Sequence, residues 1–186
     1  GFKRAIDFDS TTTEFIDAEI KSIFGDDLKG VLTPDLVRGS FTTLEEMATK
    51  QSWPKLDDCR GKVIFIMEGG AVDYYLHNHP SLKGRVSFVY SEPGRAEAAF
   101  VKRNSATPDK TNIRELIKKG YIIRTRADEE TWQARNNDYT DFNNALESGA
   151  QIISTDFYKA DERFSTFHVQ FKNKEAGRAN PINSTG

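Results

Sequence analysis

The chain has 186 residues, of which 37% are hydrophobic and 29% charged, and its formal net charge is −2. This length predicts a single domain over residues 1–186 with room for a real core. The near-neutral charge argues against a nucleic-acid partner, because such binders usually carry a basic stripe. Cys59 is the one cysteine, which excludes an intrachain disulfide and a cysteine-rich metal site. No apolar run approaches the roughly 20 residues of a membrane-spanning helix.

The first predicted element is a helix over residues 10–24, STTTEFIDAEIKSIF. Ser10 or a neighbouring threonine can cap it, and apolar residues recur at roughly helical spacing. The predicted apolar face consists of Phe15, Ala18, Ile20 and Ile23. The preceding residues, GFKRAIDF, contain no apolar stretch typical of a signal peptide, so none is predicted there. We expect these residues to lie inside a domain and not at its beginning.

Strands and helices alternate in the predictions for the rest of the chain. The predicted strands are VLTPDLV, VIFIMEGG, RVSFVYSE, AAFVKRN, IIRTRAD, QIISTDF and FHVQF. The predicted helices are residues 44–50, AVDYYLHNHPSL, TNIRELIKKG and YTDFNNALESG. This alternation favours βαβ units and a parallel sheet. Because fewer than eight strands are predicted, the chain forms either an open α/β sheet or part of a larger barrel.

Two predicted strands between residues 120 and 158 carry charged residues at their carboxyl ends. Arg124, Arg126 and Asp128 end the first of these strands, and Asp156 ends the second. In parallel α/β sheets and barrels, binding sites are built at that end. Since side chains alternate along a strand, we expect Arg124, Arg126 and Asp128 to point to one face.

The same stretch resembles a known family. RTRAD followed by ALESGAQIISTDF resembles the C-terminal part of the calcium-dependent phosphoinositide phospholipase C family of bacteria and fungi. Further segments agree in order: DAEIKSIF, LTPDLVRG, WPKLDDCRGKVIFIME, HPSLKGRVSF, FVKRN and RANPI. In the last of these, Ala179 stands where the family usually has cysteine. The similarity covers nearly the whole chain, and six pieces in the right order are more specific than any one of them.

The resemblance implies a TIM-type (β/α) barrel, of which this chain would hold the C-terminal half to two-thirds. It also implies a phosphoric diester hydrolase that cleaves phosphatidylinositol, with two histidines as base and acid and Ca²⁺ neutralising the phosphate charge. In the family those histidines and calcium ligands lie on the first strands, and nothing in this sequence matches them.

The expected role of the chain follows from that difference. It would supply the inositol-binding side, with no catalytic residue of its own, and its partner would be the N-terminal half of the same barrel. A secreted or cell-envelope location is implied by the resemblance alone. Two alternatives stay open: a barrel like the glycerophosphodiester phosphodiesterases, and a non-catalytic module that binds headgroups or sugar phosphates.

Three candidate substrate-binding residues come from the RTRAD strand. The guanidinium of Arg126, and that of Arg124 on the same face, can hold a phosphate or adjacent hydroxyls with paired donors. Asp128 can accept from an inositol hydroxyl or orient an arginine. The alternative is a structural ion pair at the end of the strand.

Three further candidates close other strands. Glu68 ends the apolar run VIFIMEGG, which predicts a strand covered on both faces, and it could hold inositol hydroxyls or stabilise a helix start. Arg103, beside Asn104, could contact the headgroup or belong to a solvated turn. Asp156 could contact substrate, although a role in fixing Arg124 or Arg126 is the favoured interpretation.

The histidines and one tryptophan complete the candidates. His77 and His79 are interpreted as structural, because residues two apart on a helix do not share a face. His168 has no partner that the sequence suggests. Trp132 follows the RTRAD strand, and it either contacts a bilayer surface, which tryptophan prefers, or packs against the next helix.

Overall fold

The computed structural model of the chain describes residues 7–183 and divides it into two compact units, Gly1–Ala99 and Phe100–Gly186. The expectations for the first six residues, GFKRAI, lie outside the described part of the chain. The single-domain interpretation is not tested by this division and stays a prediction.

The first unit opens with helix α1, Ser10–Phe24, as the sequence predicts. Its cap is Asp9 rather than Ser10, and the Asp9 carboxylate accepts from the Thr12 backbone N–H at 2.7 Å. The predicted apolar face is wrong in part, because Phe15 is 66% exposed and Ile23 is 69% exposed. The buried residues of the helix are instead Thr13, Asp17 and Ile20.

Short elements make up the rest of the first unit. They are α2 Pro34–Arg38, α3 Leu44–Thr49, α4 Leu56–Cys59, β1 Ile66–Met67, α5 Val72–Leu76, a 3₁₀ turn Pro80–Leu82, and β2 Phe88–Val89. Strands β1 and β2 pair in parallel, with Ile66 beside Phe88. Val31 makes a single parallel bridge to Val63.

Two strand predictions in this unit need correction. VLTPDLV contributes only the bridge at Val31, because Thr33 caps helix α2 and Pro34 occupies its first turn. Within VIFIMEGG only β1 pairs as a strand, and Val63 and Ile64 are 42% and 40% exposed. This run is therefore not covered on both faces.

A buried polar cluster fixes α1 within the first unit. The Tyr75 hydroxyl donates to the Asp17 carboxylate, and Arg85 lies against that carboxylate at 3.3 Å. The Tyr75 oxygen also accepts from the backbone N–H groups of Val86, at 3.2 Å, and Ser87, at 2.9 Å. Asp17, Arg85 and Tyr75 are 6%, 3% and 0% exposed, so the charges are paired away from water as burial requires.

The second unit is a three-stranded parallel sheet with helices packed on it. In chain order it contains β3 Phe100–Ser105, α6 Ala106–Lys118, β4 Ile122–Arg126, α7 Trp132–Asn136, α8 Thr140–Ser148 and β5 Ile152–Ser154. The strand order is β3-β4-β5. Buried Val101 and Ile123 on the sheet, with Ile113 and Ile117 on α6, form part of the core.

The sequence missed α7 and wrongly predicted a strand at FHVQF. Residues 167–171 form no strand, and a 3₁₀ turn, Lys172–Lys174, follows them. The parallel α/β class is confirmed by the pairing in both sheets, whereas no closed barrel is present within residues 7–183. No helix in this described range combines the length and the apolar character needed to cross a membrane.

Candidate functional site

One face of the second unit's sheet carries cations at its carboxyl end. Along β4, Ile123 and Thr125 are fully buried, whereas the alternate residues Arg124 and Arg126 are only half-buried. The two arginines therefore share the face opposite the buried one, as the alternation predicts. Lys102 of β3 lies beside Arg124 in register and extends this face to the neighbouring strand. We call it the cationic face, defined by Lys102, Arg124 and Arg126.

Arg124 is held in place by a neutral partner. Its Nη1 donates to Oδ1 of Asn104 on β3 at 2.7 Å. The register between β3 and β4 shifts between Lys102 and Ser105, so Asn104 lies at the irregularity. Because Asn104 carries no charge, Arg124 keeps its full positive charge while its side chain is positioned.

Arg126 is the last residue of β4. It stands beside Ser105 on one side and Ser154 on the other. Within the described residues its one ion pair is with Glu129, at 3.7 Å, and its side chain is 35% exposed. A pair of that length and exposure contributes little, so this contact would not prevent the Arg126 guanidinium from binding an anion.

Asp128 does not lie beside the arginines as an acceptor. It is 5% exposed, and it accepts from the Thr155 hydroxyl and from the Asp156 backbone N–H at 3.2 Å. These bonds tie the end of β4 to the segment after β5. The geometry thus gives Asp128 a bracing role, and a contact with substrate stays a prediction.

Asp156 and Arg103 also have defined surroundings, and those of Asp156 differ from its favoured interpretation. The Asp156 side chain is exposed, and within residues 7–183 the arginines it was expected to fix are engaged by Asn104 and Glu129. Arg103 donates to Asn112 of α6 at 3.0 Å, so it lies on the helix-covered side of the sheet. For both residues, substrate contact stays untested.

Glu68 belongs to the first unit, where it follows β1 and is exposed. It lines an open depression together with Asp7, Phe8, Ile16, Met67, Gly70, Ala71 and Tyr74. The role predicted for Glu68 in holding inositol hydroxyls is not tested by this geometry.

The histidines and Trp132 also have defined surroundings. The Nδ1 atom of His79 lies 2.7 Å from the Lys83 carbonyl, which agrees with its structural interpretation. His168 is exposed and contacts the Thr166 carbonyl at 3.0 Å. Trp132 is 59% exposed on α7, so it is not packed away against α8.

Another carboxylate, Glu97, is buried in the first unit. Burial raises its pKa, but hydrogen bonds from Arg95 at 2.7 Å and Ser91 at 2.8 Å outweigh that effect and hold the pKa below the ordinary value. No sequence pattern singled out this carboxylate.

A calcium site is the remaining element that the resemblance implies. Within residues 7–183 no group of three or more His, Cys, Asp and Glu side chains is arranged to hold a metal ion. Calcium usually takes six to eight oxygen ligands, several of them carboxylates. The described residues do not fit that ion, and no chemical step through calcium is assigned to them.

Sequence reasoning missed Lys102 as a member of the cationic face and Asn104 as the hydrogen-bond partner of Arg124. Asn104 was grouped with Arg103, although residues next to each other on a strand point to opposite faces. The shift in register between Lys102 and Ser105 interrupts this alternation, so the sequence alone does not assign Lys102 to the face of Arg124.

These features define an α/β protein with parallel strands and a cationic face at their carboxyl ends. The family described as phosphoinositide phospholipase C, Ca²⁺-dependent, matches residues 2–181. The chain belongs to this family. No curated protein sequence matches it significantly.

Two solved structures share the fold. One is a calcium-dependent phosphoinositol-specific phospholipase C from Pseudomonas sp., in a myoinositol complex, with 15% identity and a TM-score of 0.55 over 84% of this chain. The other is a Ca²⁺-dependent phosphatidylinositol-specific phospholipase C from Streptomyces antibioticus, with 18% identity and a TM-score of 0.55 over 81% of this chain. The matches cover 55% and 61% of those chains, so this chain spans a little over half of their length.

Proposed function

We propose that this chain is the C-terminal part of a phosphoinositide phospholipase C of TIM-barrel type, and that its cationic face binds the inositol phosphate headgroup of phosphatidylinositol. The observation that carries the proposal is the placement of Arg124 and Arg126 on one face of β4, at its carboxyl end. Guanidinium groups match the geometry of phosphate oxygens and of adjacent hydroxyls.

The electrostatics support an anionic ligand. Lys102, Arg124 and Arg126 bring three cations to neighbouring positions on two strands. Arg124 is bound by the neutral side chain of Asn104, and Arg126 is paired with Glu129 at 3.7 Å. A phosphate group could therefore accept charge-assisted hydrogen bonds from the two arginines.

The reaction itself belongs, in this proposal, to residues outside the chain. The acid and base histidines and the calcium ligands would come from the N-terminal half of the same barrel. This chain would bind and orient the headgroup, which keeps the phosphodiester in place for an attack by the inositol 2-hydroxyl. The coverage of the two solved structures supports this division, because only part of each is matched.

A lipid substrate requires the enzyme to contact the surface of a bilayer. If the enzyme is secreted or bound to the cell envelope, that bilayer surface is one that faces the outside of the cell. We include both in the proposal. The family match favours an inositol headgroup over the glycerol headgroup of the glycerophosphodiester phosphodiesterases. A non-catalytic headgroup-binding module is the outcome that remains if no activity can be restored.

Phosphorus NMR of a short-chain phosphatidylinositol tests the proposal. The lipid is incubated with this chain and Ca²⁺, with a chelator as control. We expect no turnover by the chain alone, and calcium-dependent turnover when the N-terminal half of the barrel is added. Calcium-dependent turnover by the chain alone would show that the catalytic groups lie within it. Inactivity in both samples would favour the non-catalytic module.

A further inference from the structure

The second unit exposes aromatic side chains beside arginines on the segments that follow β4 and β5. Trp132 on α7 is 59% exposed, and Phe164, on the segment after β5, is 54% exposed. Arg135 lies three residues after Trp132 on α7, and its guanidinium carbon is 4.9 Å from the centre of the Phe164 ring. Because residues three apart on a helix are neighbours on its surface, Trp132 and Phe164 flank one arginine.

The base beneath these rings is ordered. The Ser165 hydroxyl donates to the Ala134 carbonyl and fixes the segment to α7. The buried Phe167 ring packs 5.8 Å from Phe157 and 4.6 Å from Tyr139, between ring centres. A small cavity of about 170 Å³ lies between α7 and this segment, and Phe164 is one of its walls. The segment that carries Phe164 is thus joined to α7 by a hydrogen bond and by the packing of Phe167.

We propose that Trp132, Arg135 and Phe164 form a docking surface for a lipid bilayer, here called the aromatic surface. This inference rests on the proposed function, because a headgroup can reach the cationic face only if its bilayer lies beside that end of the sheet. The aromatic surface follows the carboxyl ends of β4 and β5, which is the end where Arg126 lies. Tryptophan and phenylalanine rings enter the interfacial layer, and an arginine beside them can reach lipid phosphates.

Charge around the aromatic surface decides which lipids it prefers. Arg163 also lies over Phe164, at 5.5 Å, but it is paired with Asp161. The Arg163 guanidinium lowers the pKa of Asp161 to about 2, so the pair stays doubly ionised and nearly cancels. Exposed Glu129, Glu130 and Glu162 add negative charge nearby in the sequence. Docking therefore depends on the rings and not on attraction to anionic lipid.

Vesicle flotation with the full chain tests the surface separately from the headgroup site. The vesicles contain phosphatidylcholine and no inositol lipid. We expect the chain to bind them with little change between low and high salt, and the double variant Trp132→Ala/Phe164→Ala to bind about tenfold less or weaker still. Phe15→Ala is the matched control, because that ring is 66% exposed on the first unit. We expect it to bind like the parent chain.

Tryptophan fluorescence gives a second measurement, on a variant that keeps both Trp132 and Phe164. The chain has two tryptophans, Trp53 and Trp132. In a Trp53→Phe variant, lipids brominated on their acyl chains should quench the remaining emission. In Trp132→Phe they should leave it unchanged.

Three results would overturn the aromatic surface. The first is that the chain does not bind the vesicles. The second is that Phe15→Ala loses as much vesicle binding as the double variant Trp132→Ala/Phe164→Ala. The third is that the brominated lipids quench the emission of Trp53 and not that of Trp132. Binding that requires anionic lipid and disappears in high salt would contradict the charge argument. Binding of soluble inositol phosphate that persists while vesicle binding fails would reject this surface and leave the proposed headgroup site standing.

Discussion

Nη1 of Arg124 donates to Oδ1 of Asn104 at 2.7 Å, across the pair of strands β4 and β3. A long cationic side chain loses conformational entropy when a ligand fixes it. Asn104 fixes it beforehand without cancelling its charge, which is how a binding face is pre-organised.

The first prediction concerns this bond. Asn104→Ala should weaken binding of inositol 1-phosphate about three- to tenfold, because immobilising one such side chain costs about 0.5–1.5 kcal/mol. Calorimetric titration measures the change. Asn112→Ala is the control, since Asn112 holds Arg103 on the helix-covered side of the sheet. Equal losses of affinity in the Asn104→Ala and Asn112→Ala variants would contradict a role of Asn104 in positioning Arg124 for the ligand.

The second prediction concerns Arg126. Arg126→Gln should reduce the affinity for inositol 1-phosphate about tenfold or more, because it removes a charged donor pair from the phosphate. Arg60→Gln serves as control, as Arg60 is an exposed, Asp57-paired arginine of the first unit. An Arg126→Gln chain that binds as tightly as its parent would place the phosphate elsewhere.

The third prediction separates the two carboxylates near the ends of β4 and β5. Asp128→Ala should lower the free energy of unfolding by about 1–3 kcal/mol, because the Thr155 hydroxyl and the Asp156 N–H lose their acceptor. Asp156→Ala should change it by less than about 0.5 kcal/mol, because that side chain is exposed. Urea unfolding measures both. A reversed order of the two effects would refute the bracing role of Asp128.

The fourth prediction concerns the buried cluster of the first unit. Tyr75→Phe should destabilise the chain by about 1–3 kcal/mol. Asp17 would lose the hydroxyl that donates to it, and the backbone N–H groups of Val86 and Ser87 would lose the oxygen that accepts from them. Thermal unfolding at neutral pH measures this loss. Tyr74→Phe is the control, because Tyr74 is 46% exposed.

Tyr75 also links stability to pH. Burial first, and then its hydrogen bond to Asp17, raise the Tyr75 pKa above its ordinary value of 10.0. The folded state therefore favours the protonated phenol, and this stability is present in full below pH 10 and lost as the pH rises further. The stability difference between the parent chain and Tyr75→Phe should shrink above pH 10. A difference that stays constant there would contradict the raised pKa.

The sequence predicted what depends on local pattern. Helix α1 ends where Gly25 follows it, and the arginines of β4 share a face, because capping and alternation are local properties. The buried side of α1 was not predictable in this way. Asp17 is buried because Arg85, 68 residues away, neutralises it, and no spacing within the helix carries that information.

The site follows the same division. The charges at the end of β4 could be read from the sequence, but the partners that position them could not. Asp128 pairs with Thr155, 27 residues later, and Arg124 pairs with Asn104, 20 residues earlier. Those separations are set by the register of three strands, including the shift between Lys102 and Ser105. Register depends on packing that one strand does not encode.

NMR of the arginine side chains shows whether the headgroup binds at the cationic face. Inositol 1-phosphate is titrated into ¹⁵N-labelled chain, and the Nε–H signals of its arginines are followed. We expect saturable shifts at Arg124 and Arg126, with the signals of Arg60 and Arg163 unmoved. Absence of saturable shifts at the two β4 arginines, or equal shifts at exposed arginines throughout the chain, would contradict a headgroup site on the cationic face.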